Sequence, residues 1–158
     1  MLKVSFKGDF RKVQTFNDKA TTVTLTGKCV VPSWFKDIPN KIWEWVMWHP
    51  SVDAGETYDN GNTVLLMHVS GKSVCADGDT FDAKVGERIA ECRAKIRLYR
   101  FMQTLTAMLL RHYLIIATGD HSIPPYKNND CLLASWHDYT EMLYNERCHL
   151  NELLQKAL

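Results

Sequence analysis

A chain of 158 residues, 46% of them hydrophobic, has enough apolar side chains for one compact domain with its own core, so disorder is not expected. Its 19 basic residues are balanced by 18 acidic ones, which gives a formal net charge of +1. That balance excludes a whole-molecule field that would by itself attract nucleic acid or an anionic membrane. Binding of either must therefore depend on a local patch.

The first third of the chain has the alternating pattern of β-strands. Polar and apolar residues alternate from Leu2 to Phe6, and residues 10–16 and 21–31 repeat the alternation with β-branched side chains. A Gly8-Asp9 pair between the first two runs predicts a tight hairpin turn. The pattern therefore predicts three strands in meander order.

Residues 40–48 predict a short helix that is apolar almost all round, and Pro39 is suited to its start. Trp43, Trp45 and Trp48 lie within it. One interpretation places these aromatic side chains over the core of the sheet. The other makes them a docking surface or the wall of a ligand pocket, because tryptophan is enriched at interface hot spots.

The middle of the chain predicts a loop, a strand and the start of a helix. Residues 51–62 are rich in Gly, Asp and Asn and predict a loop, whereas residues 63–70 are almost continuously apolar and predict a central strand. Asp79 or Asp82 is placed to cap the next helix, because a carboxylate accepts hydrogen bonds from the free N–H groups of the first turn.

Two long helices are predicted for the second half. Apolar residues recur at three- and four-residue steps, with no interruption before Gly119, and a second helix is expected from about Cys131 to the C-terminus. The two helices form an antiparallel hairpin in the favoured interpretation. In the alternative they project as a coiled-coil arm used for dimerisation.

These elements together predict an α+β fold, an antiparallel β-meander packed on one face by helices, with a long C-terminal antiparallel helical hairpin. Residues 1–158 are expected to form a single domain, in which 1–80 are mainly β and 81–158 form the hairpin. The most apolar run, residues 105–117, contains Arg111 and His112 and is too short to span a bilayer, so no membrane association is expected.

The first long helix is strongly basic between Cys92 and His112, where it contains no acidic residue. Arg93, Arg97 and Arg100 fall on one helical face and predict a ladder of guanidinium groups suited to phosphates. The competing interpretation pairs these arginines with acidic residues of the second long helix.

No catalytic or metal-binding pattern stands out. The five cysteines are irregularly spaced, and the N-terminus lacks the apolar run of a secretory leader, which predicts reduced thiols in a cytosol. His137 and Glu141 are four residues apart on a helix and would need a third metal ligand from elsewhere. Cys75 and His68 lie too far apart along one strand to act as a nucleophile and its base. No metal and no cofactor are therefore predicted.

One motif spans the predicted strand-to-helix junction, and it consists of Gly71, Cys75, Asp79, Phe81, Asp82, Gly86, Ile89, Ala90, Arg93 and Ala94. It resembles a pattern in small uncharacterised proteins encoded by bacteriophages and prophages. In those proteins a strand with Gly and Cys is followed by an Asp-x-Phe-Asp turn and a Gly-x-x-Ile/Leu-Ala-x-x-Arg-Ala helix. The resemblance implies a phage origin and the cytoplasm of a bacterial host, and no activity accompanies it.

The favoured hypothesis is a non-enzymatic phage accessory binding protein, an inhibitor of a host defence system that binds a host protein or a nucleotide signal. Its expected contact residues are Arg93, Arg97, Arg100, Trp43, Trp45 and Trp48. One alternative is a nucleic-acid-binding module related in layout to double-stranded RNA-binding domains, and a second is a metal- or thiol-dependent enzyme. Homo-oligomerisation through the helical hairpin is a further expectation.

Overall fold

The computed structural model describes residues 3–32, 38–57, 61–119 and 126–157, with side chains described throughout except at 113–119 and 126–129. Within these ranges the elements are β1 (Ser5–Phe16), β2 (Ala20–Val31), α1 (Asn40–Trp48), β3 (Val52–Thr57), β4 (Thr63–Val74), α2 (Ala83–Gly119) and α3 (Tyr126–Lys156). The strands form one antiparallel sheet in the order β1-β2-β4-β3. The predicted α+β fold with its C-terminal helical hairpin is confirmed.

β1 is one long strand where the sequence predicts two. Gly8 pairs with Gly27 and Phe10 pairs with Thr26, so the pairing shifts at Asp9, which forms a β-bulge. The predicted Gly8-Asp9 hairpin turn is therefore wrong. Glycine and aspartate are common in turns and in bulges alike, and the local sequence does not distinguish the two.

The hairpin turn between β1 and β2 lies instead at Asn17 and Asp18. Both residues have φ of 50°, and the N–H of Lys19 donates to the carbonyl of Phe16 at 3.0 Å. Positive φ at both central residues is the requirement of a type I′ turn, whose twist matches that of the flanking strands. Asn and Asp adopt this conformation more readily than other residues with a side chain.

β3 occupies residues for which the sequence predicts a loop. Its six residues, Val-Asp-Ala-Gly-Glu-Thr, have little intrinsic strand preference. The strand forms because it pairs with β4 and because Gly55 lies directly beneath the ring of Trp43 in α1. Tertiary contacts thus override local preference here.

All three helices lie on one face of the sheet, and α2 crosses its middle. Gly71 of β4 allows the closest approach, because a Cβ atom there would lie 1.9 Å from the carbonyl oxygen of Ala90 and 2.5 Å from the nitrogen of Ala94. The largest fully buried side chains of this interface are Phe101, Leu65, Met67, Met102, Leu105 and Leu109. The core therefore lies between α2 and the two inner strands.

α2 begins where the sequence predicts, because the Oδ1 of Asp82 accepts hydrogen bonds from the N–H groups of Lys84 and Val85 at 2.9 and 3.2 Å. α3 starts at Tyr126, earlier than the predicted Cys131.

The two long helices are in antiparallel contact, as a hydrogen bond of 2.9 Å from Gln103 to Thr140 shows. α3 also reaches the sheet, where the hydroxyl of Tyr139 accepts the N–H of Phe6 at 3.0 Å. Burial raises the pKa of Tyr139 to about 12.

Candidate functional site

Arg93 and Arg97 contact the edge of the sheet. Their guanidinium groups donate to the carbonyl oxygens of Lys72 and Ser70 at 2.6 and 2.9 Å. β3 pairs with β4 only as far as Met67, so this later part of β4 has no strand neighbour on that side. Four helical residues rise about 6 Å and two strand residues about 6.7 Å, which brings both arginines into register with alternate carbonyls.

Arg100 differs from the other two arginines. It is exposed, and within the described part of the chain it has no hydrogen bond or ion pair. None of the three arginines pairs with a described carboxylate of α3. Arg93 and Arg97 thus contact β4 where pairing with α3 is the competing prediction, and their role in binding phosphates stays a prediction.

The three tryptophans of α1 separate into two groups. Trp45 stacks on Phe101 with ring centroids 5.2 Å apart and 16° between the planes, and Trp43 is half-buried over Gly55. Burial lowers the pKa of the adjacent His49. Trp48, in contrast, is 87% exposed. Two of the tryptophans thus cover the core, and Trp48 is exposed to solvent.

The residues of the strand-to-helix motif have structural contacts. Gly71 and Ala90 allow β4 and α2 to touch, Asp82 caps α2, and Arg93 bonds the edge of β4. Asp77 is fully exposed, 3.9 Å from the amine of Lys19. A groove lies beside this junction, but its aspartates do not converge with a histidine among the described residues.

The face of the sheet opposite the helices is uncovered by any described helix, and we call it the open face. Cross-strand pairing and alternation assign its residues, since the neighbouring positions Phe6, Val23 and Leu65 point to the core. Its central rows contain Lys7, Phe10, Lys12, Gln14 and Phe16 of β1, Thr22, Thr24, Thr26 and Lys28 of β2, and His68, Ser70 and Lys72 of β4.

Four lysines give the open face more positive than negative charge, although cross-strand pairing also places Glu56 of β3 on this face. Lys7 stands directly opposite Lys28, and like charges at paired positions destabilise a sheet. Lys12 and Lys72 lie on the same face, two and three rows further along the sheet. All four are exposed, and no described carboxylate lies within ion-pair distance of their amines. The nearby carboxylate of Asp53 is paired with His68 at 2.8 Å.

Aromatic and hydroxyl side chains lie between these lysines. Phe10 is 62% exposed and Phe16 is 49% exposed, although both belong to a residue type that is normally buried. The hydroxyls of Thr24 and Ser70 form a hydrogen bond of 2.8 Å across the central strands. The open face therefore combines cations, an exposed aromatic ring and neutral hydrogen-bonding groups on a rigid surface.

A groove of about 380 Å³ lies on the other side of the sheet, between β1, α2 and α3. Its lining is mainly apolar and includes Lys3, Phe6, Lys95, Tyr99, Ser135, Asp138 and Tyr139. Lys3 is paired with Asp138 at 3.6 Å and Lys95 with Glu91 at 3.8 Å. The hydroxyl of Ser135 is buried without a hydrogen-bond partner among the described atoms. Such a groove has the size of a small-ligand site.

One cluster of potential metal ligands joins α2 to α3. The Sγ of Cys92 lies 3.4 Å from Nδ1 of His149, and that nitrogen lies 3.6 Å from Oε1 of Glu146. Burial and the nearby Glu146 raise the pKa of Cys92 to about 12. No motif in the sequence predicts this cluster. Its only local signal is the Glu146-x-x-His149 spacing, which places two ligand types on one helical face.

Comparison with protein-family models, with curated proteins and with solved structures found no match to this chain. Among the described helices, none has the length and apolar character needed to cross a membrane. Candidate functions of the open face, of the groove lined by Ser135 and of the Cys92, Glu146 and His149 cluster therefore follow from the chemistry of their residues.

Proposed function

We propose that this protein is a non-enzymatic binding protein that holds a single-stranded nucleic acid on the open face of its sheet. The observation that carries this proposal is the unbalanced charge of that face, where four lysines have no described counterion. A phosphate backbone is a polyanion that would supply the missing counterions and release its own condensed cations on binding.

The position of Lys28 supports a role in ligand binding, because the general preference of lysine for edge strands does not explain it. Lysine is common on edge strands, which accounts for Lys7 and Lys12 on β1. Lys28 is on β2, an inner strand, and it is placed opposite Lys7 at a cost in stability. A ligand that neutralises the two amines would remove this cost in stability.

The exposed ring of Phe10 favours a single-stranded nucleic acid over a duplex as the ligand. Unpaired bases stack on aromatic side chains, and each such contact contributes roughly 1–3 kcal/mol with little sequence preference. Phe10 lies in the row between the Lys7–Lys28 pair and Lys12, so a base on the ring would have phosphates near amines on both sides. A duplex has no free base to stack.

The resemblance to phage proteins gives this activity a setting. In the bacterial cytoplasm, a phage accessory protein that sequesters a nucleic acid would withhold it from a host defence system without turnover. This role is proposed together with the binding activity. It keeps the non-enzymatic binding protein that the sequence favours, takes its ligand from the nucleic-acid-binding alternative, and moves the contact surface from Arg93 and Arg97 to the open face.

The test is fluorescence anisotropy with a labelled single-stranded oligonucleotide of about 12 nucleotides, titrated between about 50 and 200 mM salt. Three or four phosphate contacts predict a slope of log K against log salt of roughly −2 to −3, or a 20- to 50-fold loss of affinity over that range. The Lys28→Glu variant should lose about tenfold in affinity and show a shallower slope. Phe10→Ala should lose at least about fivefold at every salt concentration.

Two matched charge reversals serve as controls. Arg88→Glu changes an exposed charge on α2 and should bind as the unaltered protein does, and Arg100→Glu tests the arginines that the sequence favours. Loss of binding in Arg100→Glu with none in Lys28→Glu would move the site to α2. Equal binding of a duplex would favour the layout of a double-stranded RNA-binding domain, and absence of binding to either would refute the proposal.

A second candidate function is recognition of a nucleotide signal in the groove lined by Ser135. The observation that favours it is the buried hydroxyl without a partner, beside Lys95 and the ring of Tyr99. Calorimetric titration with adenosine monophosphate tests it. Binding that is weakened by Ser135→Ala and unchanged by Lys28→Glu would support the groove, and no heat of binding would remove this candidate.

A further inference from the structure

We propose that Cys92, Glu146 and His149 bind a zinc ion that fastens α2 to α3. The three side chains each offer one ligand atom, and these atoms all lie within 4.8 Å of one another. The cluster is independent of the open face, since it is built on the helical layer on the opposite side of the sheet. It also goes beyond the proposed binding activity.

The distances between the ligand atoms fit a tetrahedral zinc site. Zinc bonds of about 2.3 Å to sulfur and about 2.0–2.2 Å to nitrogen and oxygen, at tetrahedral angles, place neighbouring ligand atoms about 3.3–3.6 Å apart. The observed sulfur-to-nitrogen distance is 3.4 Å and the nitrogen-to-oxygen distance is 3.6 Å. Two of the three distances between ligand atoms therefore match those of a zinc site, and the third is within 4.8 Å.

The ligand types select zinc over the hard cations. Thiolate and imidazole are poor ligands for Mg²⁺ and Ca²⁺, which prefer oxygen, whereas Cys, His and a carboxylate are all common on Zn²⁺. Three protein ligands leave a fourth position for water. When zinc binds, the thiol of Cys92 gives its proton to solvent as the zinc–sulfur bond forms, while the imidazole binds through the lone pair on Nδ1.

The surroundings favour a structural ion over a catalytic one. Neither the groove beside Ser135 nor the groove at the strand-to-helix junction is lined by any of the three ligands, so no described cavity brings a substrate to the ion. Cys92 is buried on α2, while both other ligands belong to α3. The ion would thus join two helices through Cys92 and His149, which are 57 positions apart in the sequence.

The proposed zinc site differs from the pair His137 and Glu141, which the sequence indicates as two metal ligands that lack a third. These two residues are exposed on α3, and no third ligand joins them among the described residues. His137→Gln is therefore a matched control for His149→Gln, and Cys148→Ser is a matched control for Cys92→Ser, because Cys148 is the exposed neighbour in sequence of the cluster.

The experiment titrates metal-free, reduced full-length protein with ZnCl₂ by calorimetry and with CoCl₂ by absorption. The expected result is one ion per chain, a thiolate-to-cobalt charge-transfer band, and a melting temperature that rises with zinc. Cys92→Ser should abolish the band, and His149→Gln and Glu146→Gln should each weaken binding by at least about tenfold. Glu146→Gln and His149→Gln replace partly exposed side chains, so their metal-free melting temperatures show whether the fold persists.

The control variants His137→Gln and Cys148→Ser should bind zinc as tightly as the unaltered protein. Absence of stoichiometric zinc binding by the folded protein would overturn the proposal. A charge-transfer band that survives Cys92→Ser and disappears in Cys148→Ser would also overturn it, since the thiolate ligand would then be Cys148 on α3 and not Cys92 on α2.

Discussion

The two faces of the sheet differ in how tightly their residues are constrained. On the helix-covered face Gly71, Ala90 and Ala94 touch so closely that no larger side chain fits. On the open face the lysines and Phe10 project into solvent, and Lys7 and Lys28 repel each other. Close packing on the covered face stabilises the fold, whereas the repulsion between Lys7 and Lys28 on the open face destabilises it. The proposed binding surface is the open face, and its residues belong to no recognisable motif.

The largest expected effect is on the covered face, where Gly71→Ala should destabilise the fold by about 3 kcal/mol or more. The added methyl group would clash with the backbone of Ala90, so β4 and α2 must move apart. Urea unfolding measures this effect. Gly8→Ala is the control, because its new Cβ would meet only the ring of Phe6 at 3.8 Å. Similar losses in both variants would contradict the close contact between β4 and α2.

A smaller effect is expected at the edge of the sheet. Arg93→Ala and Arg97→Ala should each lower the free energy of unfolding by about 1 kcal/mol, because each removes a hydrogen bond from a charged group to a β4 carbonyl. Arg100→Ala, at an exposed position without such a bond, should change it by less than about 0.5 kcal/mol. Equal effects of all three substitutions in urea unfolding would argue against the structural role of the first two.

The smallest effect has the opposite sign and belongs to the open face. Lys7→Glu places a carboxylate opposite Lys28 and should stabilise the protein by about 0.2–1 kcal/mol. The same change should weaken binding of single-stranded nucleic acid. Lys12→Glu is the control, because its cross-strand partner is Thr24 and no like-charge pair is relieved. A loss of stability in Lys7→Glu would show that the two amines do not repel each other in the folded protein.

The sequence predicts the parts of the fold that depend on local pattern. The apolar repeat of α2, the cap at Asp82 and the short helix α1 follow from residue spacing, and the structure confirms them. α1 is less buried than its sequence predicts, since Met47 and Trp48 are exposed. β3 and the bulge at Asp9 are different. Both depend on pairing with the next strand along the chain, which is β4 for β3 and β2 for the bulge, and not on the local residues alone.

The candidate sites were harder to predict because each is assembled from separate elements. The arginine face of α2 is visible in the sequence, but only the register with β4 shows that Arg93 and Arg97 are bonded to carbonyls. The Lys7–Lys28 pair requires knowledge of the bulge, since an unbulged strand changes which residues are opposite. Cys92 and His149 are joined only by the packing of two helices.

The two ends of the sheet also determine whether other chains can extend it. A bare strand edge is the usual route by which sheet proteins polymerise. Any strand that approached β4 beyond Met67 would first have to displace the guanidinium groups of Arg93 and Arg97 from their carbonyls. At the other edge, the kink at Asp9 interrupts the regular ladder that an added strand would need. Both features therefore oppose the addition of a strand at these two positions.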